Sequence, residues 1–147
     1  MKTLNPYINF SGQCQQALVF YEKALNGKVI VRQTYGQAPQ AIAGANPSHI
    51  MYAEFQADGI YFMANDGINN ITKNESTTSL SNANNTITLN IAFSDPQEQK
   101  TVFDALSENG KVAMPLTQTF WGARFGIVKD QFGVSWMLNH QLEKGLE

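Results

Sequence analysis

The chain has a single cysteine, Cys14, and two histidines, His49 and His140, in 147 residues. One thiol excludes an intramolecular disulfide framework, and two imidazoles far apart in sequence supply little of what a transition metal uses. Basic charge is also sparse: Lys and Arg number 10 against 12 Asp and Glu, for a formal net charge of -2. They are scattered rather than blocked, so nothing is set up to neutralise a phosphate backbone, and no nucleic-acid partner is expected. No apolar run is long enough to span a bilayer. The start, MKTLNPYINF, lacks the long apolar stretch and small-residue cleavage site of a secretory signal. A cytoplasmic protein with no membrane association is the expectation. What is present is apolar: 43% of residues are hydrophobic, enough for one sizeable core, and a single domain over 1–147 is expected.

The sequence is written twice. When Ile8 is set on Ile91, PYINFSGQCQQALVFYEKALNGKV lies beside TLNIAFSDPQEQKTVFDALSENGKV, with Phe10 on Phe93, Gln16 on Gln99 and Gly27 on Gly110. In each copy an alternating apolar strand leads through a polar break, SGQ or SDP, into an amphipathic helix. Ala17, Phe20, Tyr21 and Ala24 mark one expected buried face; Val102, Phe103 and Leu106 mark the other. Both helices should end near Asn26-Gly27 and Asn109-Gly110, where glycine takes the left-handed conformation. A second match sets DGIYFMAND on FGVSWMLNH, pairing Met63 with Met137 and Asn65 with Asn139. Ahead of these, MYAEF falls on WGARF, pairing Ala53 with Ala123 and Phe55 with Phe125. Both read as β-hairpins. The unit is βαβββ, in modules of about 1–67 and 86–141, joined by a linker at 68–85 rich in Asn, Ser and Thr. Another polar segment, Tyr35 to His49, suits a long loop of the kind that covers a binding site.

LNPYINFSGQCQQALVFYEKALNGKV, IMYAEFQADGIYFMANDG and TFWGARFGIVKDQFGVSWMLN together resemble the PhnB-like branch of the vicinal oxygen chelate superfamily, which includes glyoxalase I and bleomycin-resistance proteins. The resemblance covers nearly the whole chain, and its closing motif is the most specific part. It implies an α+β fold in which two βαβββ modules form a cupped mixed sheet around a cavity. It also implies a homodimer. Catalytic members hold a divalent metal with four His, Gln or Glu side chains, near the start of each module's first strand and within its last. Those positions hold Asn5, Met63, Thr88 and Met137 here, and Tyr52 stands where PhnB relatives often carry His. Two thioethers, an amide and a hydroxyl are poor donors for a hard or borderline ion, so no metal and no cofactor are expected. Some PhnB-like sequences carry a demethylubiquinone methyltransferase label, but no glycine-rich loop follows a first strand here to support it.

In the closing motif, strand alternation puts Phe120, Gly122, Arg124 and Gly126 on one face and Trp121, Ala123, Phe125 and Ile127 on the other. KDQFG supplies a turn in which Gly133 takes positive φ. On the return strand Val134, Trp136 and Leu138 oppose Ser135, Met137 and Asn139, and the place of Met137 in the resemblance sets that second group inward. The candidate ligand-binding set is Tyr52, Met63, Trp121, Arg124, Ser135, Met137 and Asn139. Arg124 either grips a ligand carboxylate or phosphonate or pairs with Glu54. Trp121 and Trp136 have core packing as the alternative. Cys14 is read as a buried residue at a helix start rather than a nucleophile, and His49 and His140 as a loop residue and one just past the last strand rather than metal ligands. Three functions remain open: binding of a small, partly apolar molecule in a metal-free cup; an enzyme of unidentified chemistry, with Tyr52, His49 or Arg124 giving acid-base or electrostatic help; or a structural dimer without a physiological ligand. The first is favoured, and no catalytic residue is assigned.

Overall fold

The computed structural model describes residues 1–68 and 86–141, so the expected linker lies outside the described residues from position 69 onward. The chain divides into two compact units, Met1–Ser81 and Asn82–Glu147. The first runs β1 (Tyr7–Phe10), α1 (Cys14–Ala24), β2 (Lys28–Thr34), a 3-10 turn at Tyr35–Gln37, β3 (Ile50–Ala57) and β4 (Ile60–Asp66). The second runs β5 (Leu89–Phe93), α2 (Pro96–Leu106), β6 (Lys111–Gln118), β7 (Ala123–Lys129) and β8 (Ser135–Gln141). The strand orders are β1-β4-β3-β2 and β5-β8-β7-β6. In each sheet the first and last strands pair parallel and the other pairs are antiparallel. The fold is α+β, built of βαβββ twice.

Each helix covers one face of its own sheet. Under α1 lie Ala53, Phe55, Phe62 and Ala64, all at most 1% exposed. Phe55 stacks on Phe62 with centroids 4.8 Å apart, and Tyr21 meets Phe62 edge-on at 5.6 Å. Burying each such ring stabilises the fold by roughly 1.5–3 kcal/mol. Leu18 takes the buried place expected for Phe20, which is half-buried and edge-on to Tyr21. Under α2 lie Val128, Trp136 and Leu138, packed with the expected Val102, Phe103 and Leu106.

Register corrects one sequence pairing. Ile8 and Ile91 stand opposite Ala64 and Leu138, which in turn stand opposite Ala53 and Gly126. The counterpart of Ala53 is therefore Gly126, not Ala123, and that of Phe55 is Val128, not Phe125. Two identities do not set a register; the residue that fits under the helix does. A Cβ at Gly126 would lie 2.8 Å from Phe103 Cε1 and 2.9 Å from the Met114 carbonyl.

The helix ends bring a second correction. The left-handed residues are Asn26 (φ 56°) and Asn109 (φ 58°), not the glycines after them. Gly27 and Gly110 are needed for close approach: a Cβ would lie 2.5 Å from Phe55 Cζ in one case and 2.5 Å from the Lys129 carbonyl in the other. Gly133, at φ 93°, turns the second hairpin as its sequence suggests.

The helix starts differ. Asp95 caps α2 locally, accepting from the Gln97 N–H at 2.9 Å, with Pro96 following. Gln13 gives α1 no side-chain cap. Asp66, at the end of β4, reaches across instead: Oδ1 accepts from the N–H groups of Gly12 (2.8 Å) and Cys14 (2.9 Å), and Oδ2 from that of Ile50 (2.9 Å). Its own carbonyl accepts from the Tyr35 hydroxyl at 2.7 Å. This carboxylate is 1% exposed, and it is tolerated because three N–H groups and the positive end of a helix surround it.

Candidate functional site

The face of the first sheet away from α1 follows from register. Tyr7 stands opposite Met63, Met63 opposite Glu54, and Glu54 opposite Val31 on the edge strand. Strand alternation adds Tyr52, Tyr61 and Asn65 to that face. The Tyr52 hydroxyl donates to Glu54 Oε2 at 2.5 Å, and Tyr61 lies on the same face, close enough for that carboxylate to act on its phenol. Tyr7 and Tyr52 have ring centroids 6.2 Å apart. The hydrogen bond to Glu54 raises the Tyr52 pKa most, with desolvation adding to it. For Tyr61 desolvation leads, and the influence of the Glu54 carboxylate adds to it. Both therefore hold their protons well past neutrality, and Tyr52 presents its O–H to the carboxylate. Asn65 Oδ1 is buried and has no hydrogen-bond partner.

On the second sheet, Met137 stands opposite Asn90 and Ile127, and Asn139 opposite Ala92 and Phe125. Ser135 shares that face, with its hydroxyl 3.4 Å from that of Thr88. The candidate residues thus fall into groups. Tyr52 and Met63 lie together on one sheet, and Ser135, Met137 and Asn139 lie together on the other. Trp121 is 58% exposed in the β6–β7 turn, its ring near Phe120 (5.0 Å) and Phe125 (6.2 Å). Arg124 stands opposite His140, on the face that Gly126 and Val128 turn to α2, so β7 directs it away from the face of Met137.

Sequence reasoning passed over Tyr61 and gave neither Asn65 nor Glu54 a place in the ligand site. The signal was available: Tyr61, Met63 and Asn65 alternate along β4, as Tyr52 and Glu54 do along β3. What was missing was the pairing that sets Glu54 against Met63.

The donors at the family's metal positions do not suit a hard ion. Asn5 is exposed ahead of β1, next to Pro6, whose carbonyl accepts from the Met63 N–H. That corner offers an amide and a thioether, and the matching one offers Thr88 and Met137. Among the described residues no three His, Cys, Asp or Glu side chains gather as a metal site would need. Cys14 is fully buried, and burial, reinforced by the charge of Asp66, pushes its thiol up to about 12. It is a core residue. His49 packs its ring against Gly12. His140 lies within β8 rather than past it, its Nδ1 2.9 Å from the Phe93 carbonyl. The 35–49 loop forms two shallow clefts, one of about 190 Å³ beside Asn46 and His49 and one of about 290 Å³ lined by Ala38, Ile42 and Pro47.

The comparisons agree with this architecture. Residues 2–139 match the family model described as 3-demethylubiquinone-9 3-methyltransferase. Protein YjdN of Escherichia coli (strain K12) is 30% identical over 138 residues, covering 92% of this chain and 93% of that one. The solved structure of PA1353 from Pseudomonas aeruginosa is similar at 28% identity and a TM-score of 0.78, over 97% of this chain and 100% of that one. A PhnB protein from Bacillus cereus shares the fold at 22% identity and a TM-score of 0.75, over 95% and 99%. The fold is that of the glyoxalase, bleomycin-resistance and dioxygenase group. Within it, the chain belongs to the PhnB-like family of the vicinal oxygen chelate superfamily. Among the described residues, neither sheet is the doubly wound parallel type with a glycine-rich first turn. Among the described residues no helix is long and apolar enough to cross a membrane.

Proposed function

We propose that this chain binds a small, partly apolar molecule on the open faces of its sheets without a metal ion, and that it does so as a cytoplasmic homodimer. The observation that carries this reading is the setting of Met63: a thioether at a family metal position, with Tyr7 and Glu54 opposite it and Tyr52 and Tyr61 nearby. Aromatic and thioether surface with a few polar groups is what a small-molecule site requires. The dimer is supported by β6, exposed along almost its whole length, with Val112, Met114 and Phe120 exposed in and after it. Such an edge invites a partner. Native mass spectrometry of the freshly purified protein tests the reading. A small molecule should accompany each chain and be displaced in Met63→Glu, at a dimer's mass and with substoichiometric metal by elemental analysis. Bare chains alone, or one tightly held ion per chain, would overturn it.

A further inference from the structure

Glu54 is a half-buried carboxylate. Across the strands it faces Met63 and Val31, and along β3 its neighbours on the same face are Tyr52 and Gln56. Arg32 stands opposite Ala53, on the face turned to α1, and the nearest basic residue in the register on the Glu54 face is Lys28, opposite Gln56 on the edge strand. Among the described residues no Lys or Arg of this module forms a salt bridge with Glu54. The group that engages it is the Tyr52 phenol, which still offers oxygen lone pairs and a ring face to the surroundings.

We propose that this face selects a ligand bearing a protonated amine, with Glu54 as counter-ion, the rings of Tyr7, Tyr52 and Tyr61 around the cationic end, and Asn65 Oδ1 as a further acceptor. This rests on the small-molecule reading above and names its chemical class. Three features point the same way. A carboxylate has about four lone-pair positions, and the one phenol that donates to Glu54 leaves room for another donor. Aromatic faces attract a cation within about 6 Å of the ring centroid. A buried acceptor with no partner, as at Asn65 Oδ1, gains a hydrogen bond only from a donor.

Three probes of similar size and different charge test this: phenethylamine, phenethyl alcohol and hydrocinnamate, titrated at millimolar concentration into protein labelled at its methionine methyl groups. The Met63 resonance, assigned with Met63→Leu, reports binding. Phenethylamine should shift it with an affinity at least about tenfold above that of the alcohol, and Glu54→Gln should remove that advantage. Equal binding of the alcohol or hydrocinnamate overturns the cation preference while leaving the small-molecule reading intact. A Glu54→Gln variant that melts like the parent and keeps the full preference also overturns it. If no probe moves Met63 the proposal fails as well, and the native mass spectrum of untreated protein then decides separately whether any small molecule is carried. The three-probe comparison on the unaltered chain stands even if Glu54→Gln does not fold.

Discussion

The two sheets share a register but not a chemistry. Position for position, Tyr7, Tyr52, Glu54, Tyr61 and Met63 of the first correspond to Asn90, Phe125, Ile127, Ser135 and Met137 of the second. The thioether is kept on both. The carboxylate and its phenols are on one alone. Behind the sheets the same divergence recurs: where the first has Asp66 tying three N–H groups together, the second has His140 with one contact to a carbonyl. Backbone pairing constrains where side chains sit, and it leaves each module free to change what they are.

The largest expected break in this comparison is at the helix start. Asp66→Ala leaves the N–H groups of Gly12, Cys14 and Ile50 without their acceptor and should cost about 3–5 kcal/mol, whereas His140→Ala should cost about 1 kcal/mol. Urea unfolding measures both, and equal losses would show that Asp66 is not what holds α1. Next comes the residue under each helix. Gly126→Ala drives a methyl into Phe103 and should destabilise by about 1–3 kcal/mol, while Ala53→Gly in the first module should cost no more than about 1 kcal/mol. A neutral Gly126→Ala would mean that α2 stands further off than the 2.8 Å contact indicates.

Introducing a carboxylate at each methionine separates the open faces. Met137→Glu, opposite Ile127, should cost about 1–3 kcal/mol for an unpartnered charge. Met63→Glu, directly opposite Glu54, should cost up to about 1 kcal/mol more from like-charge repulsion across the strands. Unfolding at low and high salt checks this, because salt should narrow the gap. The smallest effect is alkaline. The folded pKa values of Tyr52 and Tyr61 are raised above the ordinary 10.0, so their contribution to stability is complete below pH 10 and is lost as pH rises through the folded values. The melting temperature should fall in that range, and Glu54→Gln should make the fall smaller. An unchanged pH profile in that variant would mean that Glu54 does not hold the phenols.

Much of the architecture was legible in the sequence. Phe103 and Leu106 recur at helical spacing, Trp136 and Leu138 at strand spacing, and the duplication brings both patterns round again. Elsewhere local pattern was not enough. Alanine and phenylalanine fit either face of β7, so ARF was set on AEF in the wrong register, and Gly126 under Phe103 decides the matter. Asn-Gly at a helix end suggests that glycine takes the positive φ; here the asparagine does, because strand β3 or β7 needs the glycine's missing Cβ. Alternation separated Arg124 from Phe125 along one strand, but it could not say which of them β8 would set on the face of Met137.

By itself the sequence determined the two βαβββ units and most of each buried helix face, because periodicity is a local property. The tertiary structure alone decided that Asp66 caps a helix 52 residues before it and that Tyr61, Met63 and Glu54 share one face. Both depend on which strands pair and in what register, and that is set by packing under the helix rather than by any neighbour in sequence.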